Sequence, residues 1–213
     1  MSKKRATAVR RDEIAQAALT IVAENGISRL SIAAVAKKVG IVPSAIYRHF
    51  KNKNEVLDAV IALVRSKLAA NVAAARAASD DPLDALRLLL MRHLSMIRES
   101  QTIPRLIFSE DICAGSRKRE ALVYAMVSGF LDGVSGIVRQ GQKAGSISRR
   151  LEPRTVALLF LGLIQPAGML WRVSRGRFDV AGHARQAWVA FTRAVEPSPK
   201  KSANRRQPRE RVQ

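Results

Sequence analysis

Residues 43–50, with the sequence PSAIYRHF, include four polar side chains: Ser44, Tyr47, Arg48 and His49. Gly40 precedes this segment, and Lys51 and Lys53 follow it. In a helix, Ser44 and Arg48 share one face, because residues four apart are neighbours. Arginine can donate two hydrogen bonds to guanine, and the methyl group of Ala45 can meet the methyl group of thymine. The chemistry of this face is therefore hydrogen bonding and apolar contact to base edges.

Groups that suit phosphate flank this face. Tyr47 and His49 would point to its edges, where a phenol or an imidazole can donate to a phosphate oxygen. Lys51 and Lys53 follow and add positive charge. Ser31 and the exposed N–H groups of the helix that it begins can hold another phosphate. The pattern is typical of a surface that binds the DNA backbone at its edges and reads bases at its centre.

Local signals define the two helices that must position these side chains. The hydroxyl of Ser31 suits the N-cap of a helix, and Gly40 suits its end, since glycine accepts the left-handed conformation found there. Pro43 fits the first position of the next helix, where a missing N–H costs nothing. Ile46 and Phe50, four residues apart, would face inward. The sequence therefore predicts a helix-turn-helix, whose second helix enters the major groove of DNA.

The rest of the sequence also predicts helices. Apolar residues recur every three or four positions, and no strand-like alternation is found. Only 5% of the residues are aromatic, while alanine and leucine are abundant. The predicted helices cover residues 8–25, 32–39, 43–49, 54–77, a segment from about 82, a long helix ending near Gly145, 153–174 and 180–195. The predicted fold class is all-α: a three-helix helix-turn-helix head, then a larger helical body.

The charge balance indicates a polyanionic partner. The 213 residues include 37 Lys and Arg against 17 Asp and Glu, a formal charge of +20. Such an excess attracts nucleic acid or an anionic membrane surface. The basic amino terminus is not followed by the apolar run of a signal peptide. The single cysteine, Cys113, allows no intrachain disulfide, so we expect a cytoplasmic protein.

One apolar segment, residues 155–171, raises the question of a membrane. Its length is close to the lower limit of about 17 residues for a span. However, Gln165 and Pro166 interrupt it, and a helix that is apolar all round is equally suited to burial by protein. We therefore expect no membrane partner.

The sequence contains no recognisable catalytic or metal-binding pattern. Its three histidines, His49, His93 and His183, are scattered along the chain. It has no glycine-rich phosphate loop, no GxSxG and no paired-carboxylate motif. We therefore predict no enzymatic activity, no metal and no cofactor. His93, beside Leu90 and Leu94, is interpreted as a buried histidine with satisfied hydrogen bonds rather than as a ligand contact.

Residues 10–57 resemble the DNA-binding head of the TetR family of bacterial transcriptional regulators. The resemblance lies in RRDEIAQAALTIVAENGI, SIAAVAKKVGI and PSAIYRHFKNKNEVL. The glycine before the third helix, the Tyr-x-x-Phe pair and the Lys-x-Glu that follows are all in register. The resemblance implies phosphate contacts by Tyr47, His49 and Lys53. It implies a base-reading face made of Pro43, Ser44, Ala45 and Arg48.

The same resemblance implies partners and further sites. It implies a homodimer on a palindromic double-stranded DNA operator, usually a repressor that a small apolar effector releases. An effector pocket is expected among Leu86, Leu90, Met91, Ile103, Phe108, Met126, Phe130 and Gln165. A dimer interface is expected on the last two helices, at Leu159, Leu163, Met169, Trp188 and Phe191. The sequence departs from the family at Val42, where a serine often caps the third helix.

These expectations divide the chain into four parts. Residues 1–9 are predicted as a basic flexible arm, 10–53 as the helix-turn-helix domain and 54–196 as the effector-binding and dimerisation domain. Residues 197–213 contain six cations and few apolar side chains, and are predicted as a disordered basic tail. Two alternatives stay open. One is a structural or co-regulatory DNA-binding protein without an effector, and the other, more remote, is an enzyme.

Overall fold

The computed structural model describes residues 3–99, 110–113 and 115–197, and all regular elements in these ranges are helical. The amino-terminal group consists of α1 (Lys3–Asn25), a 3-10 turn (Ile27–Arg29), α2 (Ile32–Val39) and α3 (Pro43–Tyr47). The larger group consists of α4 (Lys53–Ala78), α5 (Pro82–Glu99), α6 (Glu110–Cys113), α7 (Arg117–Ala144), α8 (Pro153–Val173) and α9 (Val180–Val195). The prediction of an all-α fold is confirmed.

Helix α1 begins earlier than the apolar pattern indicated. Its helical backbone starts at Lys3, so residues 3–9, which were predicted as part of a flexible arm, are helical. The reason is that lysine, arginine and alanine are good helix formers and that neither glycine nor proline interrupts residues 3–25. Once the buried turns near Ile14 form, each further residue extends the helix at low cost.

The ends of several helices follow the local signals in the sequence. Ser31 Oγ accepts a hydrogen bond from the N–H of Ala34 at 3.1 Å, which caps α2. Gly40 and Gly145 have φ values of 78° and 82° and end α2 and α7. Positive φ favours glycine, because other residues place Cβ too close to the backbone. Short-range chemistry therefore fixes where these helices begin and end.

Helix α4 connects the two groups of helices. It packs against α1 on one side of the connection and against α5 and α7 on the other. Its buried stripe is the predicted one: Val56, Val60, Val64, Leu68 and Val72. Lys67 Nζ also donates to Gln16 Oε1 of α1 at 2.8 Å. A movement of α4 relative to the larger group would therefore carry the amino-terminal helices with it.

Helix α5 lies at the centre of the larger group, in contact with α4, α7, α8 and α9. Leu86, Leu89 and Leu90 on its inner side have no exposed surface. The core therefore runs along α5 and joins the apolar faces of the surrounding helices.

By length and composition alone, α7 and α8 are apolar enough to cross a membrane. Both are packed in the helical bundle, and Val156, Phe160 and Ile164 of α8 are buried. Helix α8 continues through Pro166 as far as Val173. Its outer side is also apolar, with these exposed side chains: Leu158, Leu159, Met169, Leu170 and Val173. Helix α8 thus has one apolar face in the core and a second on the surface.

Candidate nucleic-acid interface

The connection between α2 and α3 is a tight turn. The N–H of Ile41 donates to the carbonyl of Ala36 at 3.0 Å, which closes the end of α2 around Gly40. Val42 is extended, with φ −77° and ψ 147°, and its side chain makes no capping bond, as expected for an apolar residue. Pro43 then begins α3, where its fixed φ suits the helix. The turn holds α3 against α2.

Helix α3 is held to the core by Ile46 and Phe50, which are both 0% exposed. Tyr47 on the outer side is 56% exposed. The helix ends at Tyr47 with Arg48 as its C-cap, two residues earlier than predicted. The predicted base-reading residues are exposed or half-buried: Pro43, Ser44, Ala45 and Arg48.

Arg11 supports the end of α3 from α1. Its guanidinium lies 4.1 Å from the centre of the Phe50 ring, a cation–π geometry, and it donates to the carbonyl of His49. His49 itself is half-buried, and its Nδ1 is enclosed without a hydrogen-bond partner among the described residues. Sequence reasoning missed Arg11, because one arginine in a basic stretch gives no signal of a contact 38 residues away.

The basic turn after α3 is fixed by two polar side chains. Asn52 Oδ1 accepts from the N–H of Glu55 at 3.0 Å, and Glu55 Oε2 accepts from the N–H of Lys51 at 2.9 Å. This reciprocal pair caps the start of α4. The side chain of Lys51 is exposed, so its charge lies at the surface beside α3.

The other two predicted phosphate-binding residues have contacts of their own. The Nζ of half-buried Lys53 lies 3.5 Å from the carbonyl oxygen of Ile27, so its charge is directed toward the 3-10 turn. Ser31 uses its oxygen to cap α2 but remains exposed, and its hydroxyl hydrogen is still able to donate. Ser31 lies in the same group of helices as α3, whereas Lys53 is the first residue of α4.

The residues predicted to line an effector pocket are brought together in part. Four of them are buried in the core between α5 and α7: Leu86, Leu90, Met126 and Phe130. Met91 lies at the surface with 45% of its area exposed, and Gln165 is half-buried on α8. Ile103 and Phe108 lie outside the described residues.

Two of the residues predicted at a dimer interface are prominent on the surface. Leu159 is 46% exposed and Met169 is 48% exposed, whereas Leu163 and Trp188 are half-buried. Leu158, Leu170, Val173 and Val189 are also exposed, although the sequence interpretation did not single them out. Helical spacing places the first three on the same face of α8 as Leu159 and Met169, and this spacing could have identified them.

Phe191 is placed differently from the prediction. It is 1% exposed, with its ring edge-on to Phe160 and stacked on Trp188, both at 5.6 Å between centroids. Phe191 therefore belongs to the core of its own chain, because α9 needs a large side chain to fill the space against α8. The apolar pattern of α9 did not indicate which side faces its own bundle.

His93 of α5 is buried as predicted, but its hydrogen bonding differs from the prediction. The residue is 6% exposed, and its ring lies edge-on to Phe130 at 5.2 Å between centroids. Its Nδ1 is enclosed and has no hydrogen-bond partner in the described part of the chain. Burial lowers the pKa of His93 to about 4, because the charged imidazolium would lose its hydration. The ring is therefore neutral near pH 7.

The chain is similar in sequence to two bacterial proteins over most of its length. It is 22% identical over 171 residues to the fatty acid metabolism regulator protein of Bacillus subtilis, covering 79% of this chain and 86% of that protein. It is 24% identical over 170 residues to the nucleoid occlusion factor SlmA of Vibrio cholerae serotype O1, with coverage of 79% and 86%.

The fold is similar to that of the transcriptional regulator FadR from Bacillus subtilis, whose structure was solved in complex with stearoyl-CoA. The TM-score is 0.72 at 20% identity, and the match covers 86% of this chain and 98% of that one. Residues 14–60 match the family model described as bacterial regulatory proteins, tetR family. This range includes α2, α3 and the turn between them. Residues 14–60 therefore form a helix-turn-helix head of the TetR family of bacterial regulatory proteins, which is a DNA-binding element.

Proposed function

We propose that the protein represses transcription by binding a palindromic operator as a homodimer, and that a small-molecule effector releases it. One observation carries the DNA-binding part of this proposal. Ile46 and Phe50 hold α3 in the core, while Ser44, Tyr47 and Arg48 are exposed. A short helix held in this way can enter the major groove with its polar side outward. The DNA partner places this activity in the cytoplasm.

We assign the contacts to DNA by the chemistry of each side chain. Arg48 and Ser44 donate to base edges, and Ala45 beside Pro43 offers apolar contact to a thymine methyl. Phosphate contacts are assigned to Ser31, Tyr47, His49, Lys51 and Lys53. Lys53 would have to turn from the carbonyl of Ile27 to reach a phosphate, so its contribution should be smaller than that of Lys51.

The outer apolar face of α8 supports a homodimer. The outer side of α8 carries two apolar groups separated by exposed Gly162 and Pro166. Their side chains are 38–63% exposed: Leu158 and Leu159, then Met169, Leu170 and Val173. Such an exposed apolar surface is typical of a protein interface. A second copy of the chain would cover it, and symmetric pairing would present two copies of α3 to the two halves of a palindrome.

We propose that the effector is a long-chain acyl thioester. The names of two similar proteins support this choice: one is a fatty acid metabolism regulator and the other was solved with stearoyl-CoA. An acyl chain also suits the leucine-rich core between α5 and α7, which includes Met126. The excess of positive charge on the chain would favour the polyanionic coenzyme A portion.

Helix α4 is the element through which we propose that the effector acts. We assign residues 10–53 to DNA binding and 54–196 to effector binding and dimerisation. The start of α7 is tied to the start of α4, since Arg119 donates to Asn54 at 2.8 Å and Lys118 to Asp58 at 2.6 Å. A ligand between α5 and α7 would move α7 and therefore α4. Because adjacent major grooves are about 34 Å apart, a shift of several ångströms in head separation would prevent both heads from docking.

Selection of bound sequences from a random DNA pool, at salt high enough to suppress non-specific contacts, tests the operator. A palindromic motif is expected, and recovery of no motif would contradict sequence-specific binding. The recovered operator complex is then titrated with palmitoyl-CoA, which should release the DNA. Coenzyme A alone is the control, because its charge could compete with DNA without entering an apolar site.

A second function is favoured by one observation, the similarity to a nucleoid occlusion factor. In that case the protein would bind DNA without an effector, and the body would serve dimerisation and protein contacts. A palindrome recovered from the pool together with no response to acyl thioesters or other apolar ligands would favour this alternative. Catalysis forms no part of either function: one similar protein is named as a regulator and the other as a nucleoid occlusion factor.

A further inference from the structure

His93 is a buried polar side chain of α5, with 6% of its surface exposed. It follows Leu89 and Leu90 by one helical turn, and the Phe130 ring of α7 packs against it. Met126, which is also buried, lies one turn before Phe130 on α7. The imidazole thus occupies the same region between α5 and α7 in which an apolar effector would bind.

The Nδ1 atom of this imidazole has no hydrogen-bond partner among the described residues. Leaving a buried polar group unpaired costs free energy, so nearly all such groups in proteins are paired. His183 shows the ordinary arrangement, with its Nε2 at 2.9 Å from the carbonyl oxygen of Leu163. An unpaired nitrogen at His93 therefore indicates a partner from outside the described chain.

The charge state of His93 restricts what that partner is. Because burial lowers its pKa to about 4, the ring is neutral under ordinary conditions. A carboxylate in this apolar region would be a buried charge facing a neutral ring, which is unfavourable. A neutral oxygen, such as that of an ester, thioester or hydroxyl group, fits the imidazole. The unbranched side chain of Met126 is adaptable, so it is able to move aside for an apolar chain.

We propose that His93 is the polar anchor of the effector site and that its Nδ1–H donates to the acyl carbonyl oxygen of a long-chain thioester. The apolar chain would lie against Leu90, Met126 and Phe130. This inference rests on the proposed release by an acyl thioester and adds to it the residue that recognises the carbonyl group. A ligand with the same chain but no carbonyl would leave Nδ1 unpaired and bind more weakly.

Two probes that differ in the carbonyl group test this assignment. Palmitoyl-CoA is a thioester, whereas S-hexadecyl-CoA is a thioether with the same number of chain carbons and the same coenzyme A portion. Binding of each to the full-length protein is measured by calorimetry. The wild type should prefer the thioester by about tenfold, the effect of one buried hydrogen bond. His93→Phe should bind both probes with equal affinity.

His93→Asn is the matched variant, because its side-chain amide nitrogen occupies nearly the same position as Nδ1. It should restore part of the preference that His93→Phe loses, and its thermal unfolding shows whether each variant is folded. Equal binding of both probes by the wild type, or an undiminished preference in His93→Phe, would overturn the assignment. In either case release of operator DNA by palmitoyl-CoA still tests the proposed function separately. If neither probe binds, both the acyl class and the role of His93 are wrong, whereas operator binding is judged by its own assay.

Discussion

The guanidinium of Arg11 lies over the Phe50 ring and also donates a hydrogen bond to the carbonyl of His49. The first contact holds a residue of the core, and the second holds the peptide just beyond α3. Helix α1 therefore supports the C-terminal end of α3. The position of Tyr47 and Arg48 depends on both supports.

Replacing Arg11 with alanine should lower the free energy of unfolding by about 1–2 kcal/mol, since it removes one cation–π contact and one hydrogen bond. Operator affinity should fall as well, because the end of α3 loses its support. Denaturant unfolding and a DNA-binding titration measure the two effects. Arg10→Ala is the control: it removes the same charge, but Arg10 forms an ion pair with exposed Glu13, at 2.9 Å, which contributes little to stability. Equal effects of the two variants would contradict a supporting role for Arg11.

Base reading and phosphate binding should respond differently to mutation. Arg48→Ala should weaken operator binding by about 1–3 kcal/mol and relax the sequence preference at one base pair of each half-site. Lys51→Ala should weaken binding to all sequences alike and reduce the salt dependence by about one unit of slope. Affinities for the operator and for scrambled DNA at several salt concentrations distinguish the two. A loss of sequence preference in the Lys51 variant would reverse the assigned roles.

The parts of this fold that the sequence predicted are those set by neighbouring residues. Ser31, Gly40 and Pro43 define the turn through capping, positive φ and a fixed φ, all of which act within a few residues. The inward positions of Ile46 and Phe50 also follow from helical spacing. The fold class and the buried and exposed sides of α3 could therefore be predicted.

The features that sequence reasoning missed depend on contacts between distant segments. Phe191 lies on an apolar stripe of α9 whether that stripe faces the core of its own chain or a second copy of the chain. Only its packing against Phe160 shows that it faces its own core. Arg11 reaches Phe50 through the tertiary fold. The burial of His93 follows from its apolar neighbours, but whether Nδ1 has a partner depends on the opposite helix. Periodicity gives the buried side of a helix and not the identity of what covers it.

The exposed face of α8 should maintain the dimer. Leu159→Glu places a charge on this apolar face, and burying an unpaired carboxylate is strongly unfavourable. We expect a monomer by analytical ultracentrifugation and a large loss of operator affinity. Tyr124→Glu is the control, because Tyr124 is 72% exposed on α7 and lies outside the proposed interface. A Leu159→Glu variant that sediments as a dimer would remove α8 from the interface.

Two glycines of α7 should respond in opposite directions to the same substitution. A Cβ at Gly141 would lie 2.6 Å from Ile147 Cδ1 and 3.3 Å from Pro82 Cβ, so Gly141→Ala should destabilise by about 1–3 kcal/mol through overpacking. A Cβ at Gly129 would meet nothing within 4 Å, so Gly129→Ala should stabilise by up to about 1 kcal/mol through helix propensity. Urea unfolding measures both values. If Gly141→Ala is neutral, the contact between α7 and the following turn is looser than the distances indicate.

His93 should make the stability of the protein depend on pH in the acid range. In the unfolded chain its pKa is near 6.5, whereas burial lowers it to about 4 in the folded protein. The unfolded state therefore binds the proton first, and stability is lost as the pH falls from about 6.5 to about 4. The shift corresponds to a loss of about 3 kcal/mol from this one group.

Unfolding of the wild type and of His93→Asn at a series of pH values between 7.5 and 4 isolates this effect, because asparagine does not titrate. Carboxylates elsewhere contribute equally to both proteins and cancel in the difference. The wild type should lose stability relative to the variant as the pH falls, because only the wild type takes up a proton at this position on unfolding. Parallel pH profiles for the two proteins would mean that His93 is hydrated in the folded state, and the neutral anchor would then lose its physical basis.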